Sequence, residues 1–382
     1  MADAEWIRAA LLYEGGRRPA QNDRLIEVAH GRIVSVRPAS EAPRGVAPRE
    51  FPIVAPGFVD LQINGGGGVL FNDAPTADTV ARIAAAARRG GTAHLLPTFV
   101  TAPDADYARA LAAVDGAIGA GVPGVLGAHL EGPFLSPARP GIHPPRHIRK
   151  MTAEDARRIA AFPHRLLLTL APEEVPAGLL GALVGAGVTV FAGHTEATAE
   201  DMAAAADRGV TGVTHLWNAM SQLQGRAPGV VGAALTDPRL SAGIIADGIH
   251  VHPANLRLAA AVLGDQLFLV TDAMATLGSD IDGFELGGVP VRLEAGRLVS
   301  PEGTLAGAHL AMDEAVRNMM ALAGLPAADA LEMASGAAAR AIGLGGVLGR
   351  VTPGWRASLT CLDADMRARA VMIDGRWPDP PD

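Results

Sequence analysis

Side chains that can bind a metal or carry a proton follow most of the apolar runs in the middle of the chain. They stand at or just after the end of a run, at the following positions: Gln62, Asn64, Glu131, His194, His215, Asp247, His250 and Asp272. Two imidazoles and a carboxylate with one open position are typical of a catalytic zinc site, and a further carboxylate could accept a proton from water. Any one of these residues alone would more often be a packing residue or a helix cap. Together they predict a metal-dependent hydrolase.

The elements that must position these side chains alternate between apolar runs and Ala-rich segments of helical spacing. The candidate strands are 58–63, 93–97, 124–130, 165–171, 188–193, 211–215, 242–247 and 267–271, and the clearest helices are 77–89, 105–117, 198–206 and 253–262. His194 and His215 are 21 residues apart, so they should lie on adjacent strands. Such alternation fits a doubly wound sheet or a (β/α)8 barrel. Polar groups at the strand ends favour the barrel, because barrel enzymes keep their active sites there.

Both ends of the chain have a different pattern, made of short strands. Runs at 10–13, 24–28 and 32–36 lie near the N-terminus, and runs at 357–362 and 370–373 lie near the C-terminus. We therefore expect a small β-sandwich formed from both termini. The predicted domains are 1–55 and 346–382 for the two parts of the sandwich, and 56–345 for the catalytic barrel.

Composition excludes several classes of protein. The 382 residues carry a net charge of −8 and a single lysine, Lys150, which argues against a nucleic-acid partner. One cysteine, Cys361, excludes an intrachain disulfide. No run reaches the roughly 18 apolar residues of a membrane helix, and the first residues lack a signal-peptide core. We expect a soluble, cytoplasmic protein that acts on a small molecule.

Specific motifs extend along nearly the whole chain. They include PGFVDLQINGGGGVLFND (56–73), GAHLEGPFL (127–135), AGHTEAT (192–198), THLWNAM (214–220), GIIADGIHV (243–251) and LVTDAMA (269–275). In these motifs the chain resembles the amidohydrolase superfamily, and more narrowly its amino-sugar phosphate deacetylases. The resemblance implies a (β/α)8 enzyme that hydrolyses N-acetyl-D-glucosamine 6-phosphate to D-glucosamine 6-phosphate and acetate. It would act in amino-sugar catabolism and cell-wall recycling.

The same resemblance implies a role for each matching position. Glu131, His194 and His215 would hold one divalent metal, with Zn²⁺ expected first and Fe²⁺, Co²⁺ or Mn²⁺ as alternatives. Asp272 would take a proton from water and later give it to the leaving amine, and His143 would reach the acetamide carbonyl. The other substrate contacts would come from Gln62, Asn218, Ala219, Arg226, His250 and Leu305. Of these, Arg226 and His250 would meet the phosphate, to which a guanidinium can donate two parallel hydrogen bonds.

The chain departs in two places from patterns common among amidohydrolases. Many of these enzymes end the first strand with His-x-His, which serves a second metal, whereas this chain has Gln62 and Asn64. Because amides bind a borderline metal less well than imidazole does, we expect one metal, and weak binding of a second near this pair stays open. His309 stands where related sequences often have a small hydroxyl residue, and we expect it to be a loop residue rather than part of the site.

Other interpretations stay open at this point. A carboxylate-bearing substrate could use Arg226 and His250, so the chain could be an amidohydrolase of cyclic amides or N-acyl amino acids. A non-catalytic barrel scaffold is a further alternative, although such a protein should have lost some of the ligands or the base, which are all present. We also expect a homodimer, in which loops near Arg226 could complete the neighbouring site.

Overall fold

The structure is a computed structural model that describes residues 4–379. Its strands, in chain order, are β1 (Glu5–Leu12), β2 (Gln21–Ala29), β3 (Arg32–Pro38), β4 (Arg49–Pro56), β5 (Phe58–Ile63), β6 (Gly65–Gly66), β7 (Val69–Leu70), β8 (Thr92–Val100), β9 (Gly127–Glu131), β10 (Arg165–Leu170), β11 (Thr189–Ala192), β12 (Val210–Val213), β13 (Ser241–Ile245), β14 (Leu267–Val270), β15 (Gly283–Leu286), β16 (Val289–Glu294), β17 (Arg297–Val299), β18 (Leu305–Ala308), β19 (Leu359–Leu362) and β20 (Ala368–Met372). Its helices are α1 (Ala77–Arg89), α2 (Tyr107–Gly119), α3 (Ala153–Ala160), α4 (Ala177–Gly185), α5 (Ala199–Asp207), α6 (Gly229–Thr236), α7 (Pro253–Leu263), α8 (Met312–Ala323), α9 (Ala327–Ala334) and α10 (Gly336–Ala341).

Eight parallel strands, β5 and β8 to β14, form a nearly closed barrel in chain order. Every residue of β5, β8 and β9 is buried, because helices cover the outside while side chains fill the inside. The helix α1 illustrates the outer layer. It begins at Thr76, whose side chain accepts a hydrogen bond from Thr79 N, and it buries Val80 and Ile83 on one face. The barrel expected from the sequence is therefore confirmed.

The observed elements lie close to the predicted ones. The first barrel strand and α1 have the predicted bounds, whereas the strand predicted over 124–130 is observed over Gly127–Glu131. The strand predicted over 93–97 extends to Val100. Within residues 4–379, the helices are all too short or too polar to cross a membrane.

A second sheet is built from both ends of the described chain. Its strand order is β20-β19-β4-β1-β2-β3, with β1 and β4 parallel and the other neighbours antiparallel. Side chains from all six strands contribute to one apolar core, so both ends of the described chain form a single small β-domain, built on one sheet. The small β-domain expected from the two ends of the sequence is therefore confirmed. The domain boundaries at 55/56 and 345/346 stay predictions, and residues 1–3 and 380–382 of the predicted domains lie outside the described residues.

An antiparallel sheet of four strands, β15 to β18, was not predicted from the sequence. It is inserted between the last barrel strand and α8, and it covers one side of the barrel mouth. Its strands are short, and much of their length is exposed, so they show little of the apolar alternation that reveals a strand. Leu286 and Leu305 from this sheet reach the cavity at the mouth.

A buried polar layer fills the barrel just below its carboxyl end. His129 Nδ1 lies 3.0 Å from Thr98 Oγ1, its Nε2 lies 2.8 Å from Thr169 Oγ1, and Thr169 Oγ1 lies 2.6 Å from Thr214 Oγ1. Burial lowers the pKa of His129 to about 4, so the ring is neutral and can donate from one nitrogen and accept at the other. Gly193 stands beside this layer. A Cβ at that position would lie 2.7 Å from Thr169 Cγ2 and 3.0 Å from Thr214 Cβ.

We predict that Gly193→Ala lowers the free energy of unfolding by about 1–3 kcal/mol, because the added methyl group must push the two threonines apart. Gly181→Ala is the matched control. Gly181 lies in the exposed interior of α4, and a Cβ there meets nothing within 4 Å, so alanine should stabilise the helix by up to about 1 kcal/mol. Denaturant unfolding of both variants measures the two effects, and equal stabilities of Gly193→Ala and wild type would contradict this account of the layer.

Candidate active site

The carboxyl ends of the barrel strands surround a cavity of about 230 Å³. Nine residues singled out from the sequence line it: Glu131, His143, His194, His215, Asn218, Ala219, His250, Asp272 and Leu305. Asn64 lines it as well. These side chains come from far apart in the sequence. They lie close together because the parallel strands of the barrel all end at the same mouth.

Glu131, His194 and His215 form a cluster in which three possible ligand atoms nearly touch. Glu131 Oε1 lies 3.2 Å from His194 Nε2 and 2.9 Å from His215 Nε2, and the two Nε2 atoms are 3.1 Å apart. All three residues are buried. Among the described residues, they are the group of histidine, cysteine and acidic side chains whose spacing could hold a metal ion.

The spacing of these atoms fits a metal. A tetrahedral zinc site with bonds of about 2.0–2.1 Å separates its ligand atoms by about 3.3 Å, close to the distances observed here. His194 Nδ1 lies 2.9 Å from Arg139 O, so it can donate to that carbonyl and leave the lone pair of Nε2 for a metal. Two imidazoles and one carboxylate are also a donor set that zinc and related divalent metals accept.

Electrostatics within the cluster favours a cation as well. Burial opposes ionisation of Glu131, but hydrogen bonds from His194 and His215 outweigh it and hold the pKa of Glu131 well below its usual range. Burial also disfavours the charged form of His215, yet the adjacent Glu131 raises the pKa of that imidazole. The carboxylate thus attracts positive charge to this point, and a metal ion would replace the proton that the histidine pair otherwise takes up.

The polypeptide turns sharply where the strands deliver these side chains. His194, His215 and Asp272 have φ angles of +50°, +33° and +49°, in the left-handed region that non-glycine residues avoid. Each follows the end of its strand ladder, at the point where the chain leaves β11, β12 or β14. This left-handed conformation costs about 1–2 kcal/mol per residue, so surrounding contacts must stabilise it.

Asp272 is held by two side-chain amides at the end of the first barrel strand, Gln62 within β5 and Asn64 just after it. Its Oδ1 accepts hydrogen bonds from Asn64 Nδ2 at 2.6 Å and from Gln62 Nε2 at 3.2 Å. Gln62 Nε2 also lies 3.2 Å from both carboxylate oxygens of Glu131. Asp272 Oδ2 is left for the cavity. Burial first, and then the charge of Glu131, raise the pKa of Asp272 to about 6, so its carboxylate, which can accept a proton, predominates at neutral pH.

His143 stands across the cavity with one nitrogen engaged by the protein. Its Nδ1 lies 2.9 Å from Thr101 Oγ1 and accepts from the backbone N–H of Thr101 at 3.4 Å. An accepting Nδ1 places the proton of the neutral ring on Nε2. Burial lowers the pKa of His143 to about 3, so the ring stays neutral at working pH. Its Nε2–H is therefore a donor toward the cavity, 4.0 Å from Glu131 Oε2.

His250 is oriented by Asp247, which the sequence placed after a strand but to which it gave no role. Asp247 Oδ2 lies 2.6 Å from His250 Nδ1, and Asp247 Oδ1 accepts from the backbone N–H groups of Ile249 and His250 at 2.8 Å each. This pairing leaves His250 Nε2 for the cavity. The signal was present in the sequence as an aspartate three residues before the histidine, the usual spacing of a side chain that closes back on a turn.

Three of the residues considered from the sequence lie elsewhere. Arg226 is exposed and lines a separate cavity of about 410 Å³ with Arg139 and Ser221, so the chain does not bring it to its own site. Gln62 is buried beneath the cavity and acts through the two carboxylates. His309 is not among the residues lining the cavity, and its Nδ1 lies 2.9 Å from Thr276 Oγ1.

Several lining residues were not found from the sequence. They are apolar or small and belong to the ends of two barrel strands, to loops and to the inserted sheet: Val100, Gly141, Ile142, Ile245, Met274, Leu286, Thr304 and Gly307. Such residue types carry no chemical signal of their own. Only the three-dimensional arrangement of strand ends, loops and inserted sheet makes them part of the site.

Comparisons with known proteins agree with this geometry. The model of the amidohydrolase family matches residues 53–377. An N-acetylgalactosamine-6-phosphate deacetylase of Escherichia coli O157:H7 is 38% identical over 93% of this chain and 94% of its own. An N-acetylglucosamine-6-phosphate deacetylase of Haemophilus influenzae is 34% identical over 92% and 93%. The crystal structure of N-acetylglucosamine-6-phosphate deacetylase from Pasteurella multocida superposes with a TM-score of 0.95, at 32% identity, over the whole of both chains.

We predict that the purified protein binds about one equivalent of divalent metal per chain tightly, because the described residues provide one three-ligand cluster and Gln62 and Asn64 are poor ligands. His215→Ala should abolish this binding. His164→Ala is the control, since His164 pairs with Asp115 on the surface away from the mouth. Elemental analysis after dialysis gives the count, and two tightly held equivalents would contradict the single site.

Proposed function

The chain belongs to the amidohydrolase family of metal-dependent hydrolases, and from this membership and the geometry of its site we propose that it deacetylates N-acetyl-D-glucosamine 6-phosphate. The products are D-glucosamine 6-phosphate and acetate. The activity belongs to amino-sugar metabolism, as do the substrates that its relatives are named for.

One observation carries the proposal. The carboxylate of Asp272 and the cluster of Glu131, His194 and His215 face the same buried cavity, and a neutral imidazole donor, His143, stands at its side. A cation site, a base and an oxyanion donor are the three parts that water needs to attack an unactivated amide. A scaffold protein would have no use for burying two carboxylates together.

The roles of the chain's own residues follow from their positions. Asp272 takes a proton from the attacking water as the oxygen of that water bonds to the acetamide carbon. His143 donates its Nε2–H toward the carbonyl oxygen as negative charge grows there. Asp272 then gives its proton to the nitrogen as the C–N bond breaks, which releases acetate and the amine. Asn64 and Gln62 hold Asp272 Oδ1 throughout, so Oδ2 carries the proton.

Glu131, His194 and His215 would hold the metal, and Zn²⁺ fits their spacing, with Fe²⁺, Co²⁺ or Mn²⁺ as alternatives. When bound, the metal would polarise the carbonyl and lower the pKa of water toward roughly 7.

We infer that recognition of the substrate phosphate uses a residue from a second chain. The lining of the catalytic cavity contains no arginine or lysine among residues 4–379, so His250 is its candidate for meeting a phosphate. Arg226 is exposed on the loop after β12, near the exposed apolar side chain of Leu223. We infer a homodimer in which Arg226 of each chain enters the cavity of the other and pairs with the substrate phosphate through its planar fork.

N-acetyl-D-galactosamine 6-phosphate is a second candidate substrate, because the relative from Escherichia coli O157:H7 is named for it and matches at 38% identity. The two sugars differ only in the configuration at C4, and both carry the same acetamide at C2 and the same phosphate at C6. The groups that act on the acetamide are therefore placed for either sugar. The cytoplasmic location expected from the composition stays a prediction.

We predict fast, metal-dependent release of acetate from N-acetyl-D-glucosamine 6-phosphate by the zinc-loaded protein, and little release from unphosphorylated N-acetyl-D-glucosamine. Acetate is measured by a coupled assay, beside a chelated sample and N-acetyl-D-galactosamine 6-phosphate. Asp272→Asn, which keeps the shape but not the base, should lower kcat by roughly 10²–10⁴-fold.

The outcomes separate the candidates. Faster turnover of the galactosamine derivative would move the assignment to that epimer. No release from either phosphorylated sugar, with metal bound, would leave an amidohydrolase of another amide. Near-normal turnover by Asp272→Asn would remove Asp272 from the role of base.

We predict that Arg226→Ala lowers kcat/KM for the phosphorylated substrate by roughly ten- to a hundredfold, the value of a hydrogen bond to a charged group, and has little effect on the unphosphorylated sugar. A mixture tests where the arginine acts. Arg226→Ala chains and Asp272→Asn chains, dissociated and reassociated together, should recover about a quarter of wild-type activity, because about half of the dimers are mixed and each has one complete site.

The complementation experiment has a clear negative result. If Arg226 served the cavity of its own chain, no mixed dimer would contain a complete site, and the mixture would stay as inactive as its parts. Arg239→Ala is the surface control, since Arg239 pairs with Asp207 and Asp237 away from the mouth and should leave kcat/KM unchanged.

A further inference from the structure

The barrel has a seam between its first and last strands. Strand ladders connect β5 through its neighbours to β14, and within residues 4–379 no ladder joins β14 directly to β5. Backbone hydrogen bonds cross the seam only beyond the end of β14. Asp272 N donates to Gln62 O at 2.9 Å, and Asn64 N donates to Ala273 O at 2.8 Å. Asp272, the proposed general base, thus stands where the described barrel lacks a strand ladder.

Asp60 fills this seam. Its side chain is fully buried and points into the barrel, on the same face of β5 as Gln62. Asp60 Oδ2 accepts from Thr271 Oγ1 at 2.5 Å, and Oδ1 accepts from the backbone N–H groups of Thr271 and Gln62, each at 3.2 Å. One carboxylate therefore replaces the missing ladder and ties together the residues that flank the active-site pair.

The contacts of Asp60 extend on both sides of Asp272. Thr271 Oγ1, which donates to Asp60, also accepts from Ala273 N at 3.2 Å, so the hydroxyl bridges over Asp272. On the other strand, Gln62 accepts from Asp272 N and donates from its side chain to Asp272 Oδ1. These bonds surround a residue whose φ of +49° is unfavourable, so they supply the restraint that this conformation needs.

A role in stability alone does not explain a carboxylate at this place. The donors to Asp60 are N–H groups and a hydroxyl rather than a charged side chain. Burial raises the pKa of Asp60 to about 7, which reflects the cost of keeping an ionised group there. An apolar side chain would fill the barrel core at a lower cost in desolvation free energy, but it could not accept the three hydrogen bonds that Asp60 accepts.

We propose that Asp60 is a positioning residue for the deacetylation, which fixes Thr271 and Gln62 so that the carboxylate of Asp272 points at the reacting atoms. It touches neither substrate nor metal. The inference rests on the proposed function, since it concerns the base of that reaction.

The test compares Asp60→Ala with Asp60→Asn. The alanine variant loses all three hydrogen bonds, and misplacement of the base should lower kcat by roughly ten- to a hundredfold. KM and metal content should stay near wild type, because these three hydrogen bonds of Asp60 go to Gln62 and Thr271 and not to a metal ligand or His250. Asparagine can accept from both N–H groups with its oxygen and donate to Thr271 Oγ1 with its amide. Asp60→Asn should therefore restore kcat to within about threefold of wild type.

Thr360→Val is the matched control for lost stability. The Thr360 hydroxyl is equally buried, accepts from Phe58 N at 3.2 Å and donates to Gly91 O at 2.7 Å, at the opposite end of the same strand β5. Its loss should lower the melting temperature but leave kcat unchanged. Thr271→Val, which removes only the hydroxyl bridge, should lower kcat in the same direction as Asp60→Ala.

These measurements distinguish the possible failures. A wild-type protein that releases no acetate contradicts the proposed function rather than the role of Asp60. With an active wild type, unchanged kcat in Asp60→Ala, or a loss that tracks metal content or melting temperature as in Thr360→Val, overturns the inference. If Asp60→Ala does not fold, Thr271→Val decides, and wild-type kcat in that variant overturns it too.

Discussion

Burial of negative charge at the mouth of the barrel is the constraint on which the site depends. Glu131 and Asp272 are both largely buried carboxylates, and the described lining of their cavity has no arginine or lysine to neutralise them. Ionised groups in such a place must be paired or hydrogen-bonded. Two imidazoles that hydrogen-bond to Glu131 compensate its charge, together with the cation that this cluster of ligands is spaced to hold. Side-chain amides that donate to Asp272 compensate the charge of the second carboxylate.

The same constraint explains the amides at the end of the first strand. Gln62 and Asn64 donate hydrogen bonds to Asp272 without adding charge, and Gln62 also reaches Glu131. Histidines at these two positions would instead offer lone pairs to a second cation, and they would no longer donate amide hydrogen bonds to Asp272. Neutral donors leave one oxygen of Asp272 saturated and the other open. Replacing ligands by amides therefore changes how the base is oriented, and not only how many metals are bound.

Much of this arrangement could be predicted from the sequence, because the strand ends carry residues of distinctive chemistry. Glu131, His194, His215 and Asp272 follow apolar runs, and parallel strands bring such positions together whatever the loops do. The four-stranded sheet over the mouth could not be predicted, since its exposed strands lack the periodicity of a buried sheet. Arg226 was assigned to the phosphate from the family resemblance alone, and its absence from the lining of the cavity could appear only in three dimensions.

The backbone conformation of the turns that follow the strands could not be predicted from the sequence. His194, His215 and Asp272 all leave their strands in a left-handed conformation, which no pattern of hydrophobicity specifies and which propensity opposes. Tertiary hydrogen bonds hold them. The carbonyl of Arg139 pairs with His194, and the hydrogen bond between Asp60 and Thr271 lies beside Asp272. Alternation of strands and helices thus brings the right groups to one mouth, while individual hydrogen bonds across neighbouring strands set their directions. In an enzyme whose base must face a polarised amide, the second requirement is the stricter one, because a displacement of about 1 Å can cost a hundredfold in rate.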